Sequence, residues 1–243
     1  MGSFPNSGNI PTQLKDKNMS IHFQTGGTRL PEASRGDRKT QVGSKKHFTG
    51  GAVIGDNHGV RFGLDSHLEK NATMLLLGRS STLGLREQVS FDWYDEHGVY
   101  HTHFIDLVAT QDDGDVVGYA VRPMGRVSSE YLAKLARIKE QAIQQCFLDD
   151  FLLFTERGVC RVELYNAELF HAVRRQDCFA DPVMQDVAGA SIGVTTIGDL
   201  VDESGLGGMG FRAAVRLIKS GHLQMLRYER IERSSEVYRA HTI

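Results

Sequence analysis

The chain has 243 residues, of which 40% are hydrophobic and 24% are charged, and its formal net charge is −2. This composition is ordinary for a globular protein and excludes collagen-like, disulfide-scaffold and wholly disordered chains. The sequence contains three cysteines, no apolar run of 18 residues and no apolar signal core near its start. We therefore expect a cytoplasmic protein with neither a membrane span nor a secretory signal.

Charge is unevenly distributed along the chain. Residues 1–48 hold eight basic and three acidic side chains, a local charge of +5, so residues 49–243 carry −7. The first segment has no periodic apolar pattern, which predicts a disordered basic arm. Lys45 and Lys46 near its end are candidates for contacts with a DNA backbone, although a merely solvating tail has the same composition.

The first predicted helix begins at Ser66, because Glu69 three residues later completes a capping box. Leu68, Ala72, Leu75 and Leu76 fall on one face of this helix, and Gly78 is expected to end it.

Three strands joined by short turns are predicted next. Apolar and polar residues alternate over 89–94, a return strand covers 100–109, and a third strand runs over 116–122 before Pro123. This order predicts an antiparallel meander.

A long helix should follow, capped by Ser128 or Ser129, and then a short apolar strand over 151–154. A further strand over 159–164 and a helix over 166–175 complete the predicted α/β domain, residues 49–185.

A polar break over 175–190 separates the last predicted domain, residues 190–243. Thr196 can cap a helix over 197–204, a glycine-containing turn follows, a second helix runs over 211–220, and 223–226 is a strand. These elements predict a helix-turn-helix or winged-helix-like domain. Three basic side chains on the second helix are spaced for phosphate contact, although a solvated helix face would show the same spacing: Arg212, Arg216 and Lys219.

Several motifs for small-molecule or metal chemistry are weak or absent. The glycines over 205–210 fit G-x-G-x-x-G, but a helix precedes them where a dinucleotide site needs a strand. His101 and His103 share a strand face, yet no third zinc ligand stands at a characteristic spacing. Nucleophile-elbow and Walker motifs are absent, which argues against acyl transfer and nucleotide hydrolysis.

A helix Glu, a strand Asp and a following strand ending in Arg-Pro stand in the order of a PD-(D/E)xK nuclease. Four segments, SHLEKNATMLLL, REQVSFDWYDEHGVYHTHFIDLVAT, GYAVRP and TERGVCRVELYNAELF, carry this order. Together they resemble the TnsA-type endonuclease subunit of heteromeric cut-and-paste transposases, over roughly 63–226. The resemblance implies a PD-(D/E)xK restriction-endonuclease-like core, followed by a winged-helix-like module that contacts DNA or partner proteins.

Position by position, the resemblance places the family's helix Glu on Glu69 and its His-x-x-Asp motif on His103 and Asp106. It implies that these carboxylates, with the backbone carbonyl of Val121, hold Mg²⁺ or Mn²⁺ and activate water for phosphodiester hydrolysis. It also implies double-stranded DNA and a transposase or regulatory ATPase as partners; homodimerisation stays open.

This chain departs from the family at two positions, because Ala120 replaces an acidic or amide ligand and Arg122 replaces the lysine. A methyl group cannot ligate a metal, and arginine is always protonated, so it cannot act as a base near neutral pH. Arg122 could still contact phosphate, which keeps it beside Glu69 and Asp106 as a candidate catalytic residue. Ala120→Glu with Arg122→Lys is then expected to restore metal binding.

Three interpretations remain open. We expect a pseudo-nuclease that binds DNA or a partner, in which Arg122 forms an ion pair with Asp106 in a dead site. The second interpretation is an active endonuclease whose metal shell is completed by Glu69 or Glu130. The third is a transcriptional regulator that uses the C-terminal helix-turn-helix alone.

Overall fold

A computed structural model describes residues 29–38, 50–55 and 58–240. The described part is a mixed α/β protein, which confirms the predicted fold class at that level. No helix in these ranges is long and apolar enough to cross a membrane. The helices are α1 (His67–Gly78), α2 (Ser129–Gln144), α3 (Arg161–Val173), α4 (Ala180–Ala190), α5 (Ile197–Ser204) and α6 (Gly208–Lys219). The strands are β1 (Gly50–Ile54), β2 (Val60–Leu64), β3 (Thr82–Tyr94), β4 (Tyr100–Gln111), β5 (Val116–Val121), β6 (Asp150–Phe154), β7 (Val194–Thr196), β8 (Leu223–Met225) and β9 (Glu236–Arg239).

A four-stranded sheet in the order β3-β4-β5-β6 forms the centre of the first half. The predicted meander is confirmed, because β3, β4 and β5 pair antiparallel in sequence order. β6 then pairs parallel to β5, which requires the crossover that α2 supplies. One face of the sheet packs under α2 through Leu135 and Ile138, and the other packs under α1 and the β1-β2 hairpin through Ala72, Leu76 and Phe62.

The predicted capping residues of α1, α2 and α5 are confirmed. The Ser66 hydroxyl accepts a hydrogen bond from the Glu69 backbone N–H at 3.1 Å, and α1 ends at Gly78 as expected. Ser128 caps α2 in the same way, and Thr196 forms a full capping box with Asp199 at α5. These ends depend on residues within three positions of each other, so the sequence predicts them.

Two predicted features are wrong. No strand covers 159–164, because α3 already begins at Arg161. This helix packs closely on α1: a Cβ added to Gly78 would lie 2.6 Å from Ala167 Cβ. The polar break expected over 175–190 contains α4, whose buried face consists of Ala180, Met184 and Ala188. Small alanines conceal helical periodicity, because they add little hydrophobic signal to the pattern.

The C-terminal half combines three helices with a three-stranded antiparallel sheet in the order β7-β9-β8. Met184 and Ala188 of α4 lie in its core with residues of α5 and α6, although the predicted domain boundary between 185 and 190 falls inside α4. This core continues into α3 through Val173, so the two halves pack against each other.

Candidate functional site

Asp106 lies on β4, the second strand of the central sheet, and its carboxylate is held on two sides. The Val121 backbone N–H donates to Oδ2 at 2.7 Å, and Gln88 Nε2 donates to Oδ1 at 3.2 Å. Burial raises the pKa of Asp106, while these two hydrogen bonds and the charge of Arg38 oppose the rise. Asp106 is thus a fixed carboxylate between β3 and β5.

Glu69 reaches the same region from the first turn of α1. Its Oε2 accepts from the Asp65 backbone N–H and its Oε1 accepts from the Ser66 hydroxyl, both at 3.0 Å. Only 8% of Glu69 is exposed. Burial raises the pKa of Glu69 to about 7, and the negative charges of Asp106 and Asp65 add to this rise. The structure therefore brings Glu69 and Asp106 close enough to repel each other.

Arg122 faces a different neighbour. Its Nε donates to the Arg126 backbone carbonyl at 2.7 Å, and its guanidinium lies 4.1 Å from the centre of the Tyr131 ring on α2. Burial and the charge of Asp106 raise the pKa of Tyr131, so Tyr131 lies near enough to Asp106 for their charges to interact. The ion pair expected between Arg122 and Asp106 is not among the salt bridges of the described residues.

The β5 positions alternate between the two faces of the sheet. Ala120 is 1% exposed and packs in the cluster under α2, whereas Tyr119 belongs to the cluster under α1. Val121 contributes its backbone N–H to Asp106. The Ala120 methyl is therefore a core contact and lies on the opposite face from the α1 cluster.

Residues 29–38, inside the segment predicted to be an arm, lie against β2 and β3. Glu32 pairs with Val60, and the Asp37 backbone N–H donates to the Gln88 carbonyl at 3.1 Å. Arg38 follows and forms an ion pair with Asp65 at 2.8 Å. The guanidinium of Arg38 thus neutralises part of the negative charge of Asp65 and Asp106. Lys45 and Lys46 lie outside the described residues.

Gln88 is a site residue that sequence reasoning missed. It is 2% exposed, has a positive φ of 49°, and its Oε1 is buried with no hydrogen-bond partner. The strand pairing runs from Glu87–Leu107 to Val89–Ile105, so Gln88 occupies the position across from Asp106. A polar residue in an alternating strand carries no signal of this kind, because the positive φ and the contact with Asp106 arise only in the folded sheet.

Two of the three predicted DNA-contacting side chains on α6 are used within the fold. Arg216 forms an ion pair with Asp181 and donates to the Val173 carbonyl at 3.0 Å. Lys219 Nζ donates to the carbonyls of Leu77, Gly78 and Arg79, at 2.8–2.9 Å, at the end of α1. Arg212 is exposed.

The other predicted ligands are separate from the pair of Glu69 and Asp106. His103 packs its ring against Phe151, and burial lowers its pKa to about 4, so it is neutral near pH 7. His101 pairs with Asp95 at 2.9 Å near the end of the β3-β4 hairpin. Glu130 is exposed at the start of α2 and accepts from Ser129.

Within the described ranges, no three carboxylate, imidazole or thiol side chains are arranged to hold a metal ion. Comparison with known proteins adds no assignment: no family model and no curated protein matches this sequence.

Proposed function

We propose that the protein is a nuclease-fold DNA-transaction protein resembling TnsA-type endonuclease subunits, with cleavage lost or weak. The observation that carries this proposal is the approach of Glu69 on α1 to Asp106 on β4, close enough for the charge of Asp106 to raise the pKa of Glu69. These are the two carboxylates that the resemblance implies for the metal site.

The order of elements supports the same class. From α1 to β6 the chain runs helix, three antiparallel strands, helix and a strand parallel to the third. This is the αβββαβ arrangement expected of a PD-(D/E)xK core. The C-terminal order α4-β7-α5-α6-β8-β9, with its sheet in the order β7-β9-β8, is that expected of a winged helix.

The donor set fits a divalent cation in part. Asp106, Glu69 and the Val121 carbonyl would hold Mg²⁺ or Mn²⁺, which would polarise a phosphodiester and activate water there. Buried acceptors without partners, Asp65 Oδ1 and Gln88 Oε1, belong to residues in contact with this region. They favour a positively charged occupant, because an unpaired buried oxygen is costly.

The same geometry argues against efficient cleavage. Ala120 offers no side-chain oxygen and is buried under α2, and the Arg122 guanidinium is held by Tyr131 and the Arg126 carbonyl. A permanently protonated guanidinium cannot accept a proton from the attacking water. Binding to phosphate remains available to exposed basic side chains, but hydrolysis lacks its usual lysine.

The C-terminal half is the expected contact for a transposase or regulatory ATPase. Arg216 and Lys219, which would face the major groove if α6 read DNA, are bound to Asp181 and to the end of α1. This use of α6 disfavours the interpretation as a helix-turn-helix transcriptional regulator. DNA contact is then assigned to the nuclease-like half and the basic segment before it.

The test measures DNA binding and DNA cleavage separately on the full chain. Fluorescence anisotropy with duplex DNA should show affinity that falls as salt rises, because phosphate contacts release counterions. Supercoiled plasmid with Mg²⁺ or Mn²⁺ should remain intact. Salt-independent binding, or none, would contradict the proposal.

Matched variants decide between lost and weak cleavage. Asp106→Asn removes the central carboxylate, whereas Asp92→Asn changes a carboxylate on β3 that accepts from the side chains of Thr102 and Tyr100. Nicking that disappears in Asp106→Asn and persists in Asp92→Asn would establish the active endonuclease in place of the pseudo-nuclease.

A further inference from the structure

Gln88 combines three features that each carry a cost for folding. A left-handed backbone is unfavourable for a residue with a side chain, and Gln88 has φ 49° in the middle of β3. The side chain is almost completely buried. Its Oε1 has no donor, although its Nε2 donates to Asp106. Strain and an unpaired buried oxygen at one residue are typical of functional positions.

The amide group is fixed by the carboxylate beside it. Nε2 must face Asp106 Oδ1, because the reverse orientation would place two acceptor oxygens against each other. Oε1 is bonded to the same carbon as Nε2, so it also lies in the buried region next to Asp106. An acceptor there, beside a carboxylate and with no donor, suits a cation.

We propose that Gln88 Oε1 is a ligand for a hard divalent cation, Mg²⁺ or Mn²⁺, shared with Asp106 and Glu69. The inference rests on the proposed function, since it uses the same pair of carboxylates. Gln88 supplies from β3 the oxygen that β5 lacks at Ala120, so the ligand stands on the other side of β4. Amide and carboxylate oxygens are both suited to these ions.

The neighbouring charges favour such an occupant. Asp65, Glu69 and Asp106 act on one another electrostatically, and Arg38 is the cation paired with Asp65. One guanidinium faces three carboxyl groups, so their full ionisation lacks matching positive charge. A divalent ion would supply that charge, whereas a water molecule bound to Oε1 would satisfy the amide alone.

The experiment is calorimetric titration of Mn²⁺ into the full chain, without DNA. We expect the wild-type chain to bind Mn²⁺ and Gln88→Ala to bind it at least about tenfold more weakly, since loss of a supporting group alone costs 10–100-fold in metal sites. Gln88→Glu keeps the side-chain length and adds a charge, so it should bind more tightly. Gln224→Ala, which removes a strand amide bonded to Tyr238, should not change the affinity.

Folding of each variant is checked by thermal unfolding with and without Mn²⁺. The Mn²⁺-induced rise in Tm should be largest in Gln88→Glu and smallest in Gln88→Ala. Equal Mn²⁺ affinity in wild type and Gln88→Ala would overturn the inference and assign a water molecule to Oε1. Salt-sensitive DNA binding by a wild-type chain that takes up no Mn²⁺ would also overturn it, while leaving the proposed function in its metal-free form.

Discussion

Glu69 has two roles that oppose each other at the start of α1. Its carboxylate accepts from the Asp65 N–H and the Ser66 hydroxyl, which stabilises the first turn of the helix. The same carboxylate is buried beside Asp106, which disfavours its charge and raises its pKa to about 7. A cap needs only the local sequence, whereas the change in pKa needs β4, so the sequence predicted the cap and the candidate ligand but not the raised pKa.

The raised pKa of Glu69 predicts a specific pH dependence of stability. The folded state binds the Glu69 proton more tightly than the unfolded state, whose pKa is near 4.5. The free energy of unfolding therefore falls as pH rises from about 4.5 to about 7, by up to about 3 kcal/mol for this group. Glu69→Gln removes this titration, so its free energy of unfolding should increase relative to that of the wild-type chain as pH rises over this range.

Urea unfolding at pH 4.5 and pH 8 measures the difference. Glu203→Gln, at an exposed position on α5, is the control, and its free energy of unfolding should change with pH as that of the wild type does. The same pH dependence in Glu69→Gln would show that Glu69 is not buried against Asp106.

At the scale of the strands, side chains alternate regularly between the two faces of the central sheet on β5 but not on β4. β5 alternates, with Ala120 under α2 and Tyr119 under α1. On β4, however, Ile105 packs under α2 and Leu107 under α1, so two residues that a regular strand would place on one face lie on opposite faces. Asp106 lies at this change of face, across from Gln88. Sequence periodicity predicted the strands, but it cannot predict such an irregularity.

The alternation changes the expectation for a reactivating substitution. Ala120→Glu places a carboxylate in the closely packed apolar cluster under α2, so it should destabilise the fold by roughly 3 kcal/mol or more. Metal binding should not increase, even with Arg122→Lys. Thr110→Glu on β4 is exposed and should change stability by less than about 0.5 kcal/mol.

Chemical denaturation of both variants tests this, with Mn²⁺ titration of the double variant. A stable Ala120→Glu/Arg122→Lys chain that binds Mn²⁺ more tightly than the wild type would show that position 120 faces the carboxylates after all.

At the scale of the whole molecule, α6 joins the two halves. Lys219 crosses to the end of α1 and donates to three carbonyls, where a positive charge is also favoured by the helix dipole. Asn166 on α3 adds a second link, since it accepts from the Ile231 N–H and donates to the Glu229 carbonyl. The C-terminal half is thus fastened to the first half through the helix that was predicted to contact DNA.

Loss of this link should reduce stability. Lys219→Ala leaves the carbonyls at the end of α1 without their donor, which should lower the free energy of unfolding by roughly 2 kcal/mol. Arg212→Ala, on the exposed face of the same helix, is the matched control and should have little effect. Guanidinium unfolding compares the two; equal effects would mean that Lys219 does not connect the halves.

The sequence by itself determined the elements whose signals are local: the capped starts of α1, α2 and α5, the β3-β4-β5 meander, and the presence of Glu69 and Asp106 as candidate ligands. Caps and alternation depend on neighbours within a few residues, so they are visible in a single chain. Only the tertiary structure decided the partners of Gln88, Arg38, Arg122 and Lys219, because each of these contacts depends on how separate elements pack. The charge pattern shows the same division. The +5 counted for the first 48 residues is a property of the sequence, but the placement of Arg38 beside Asp65, 27 positions away, requires the folded chain.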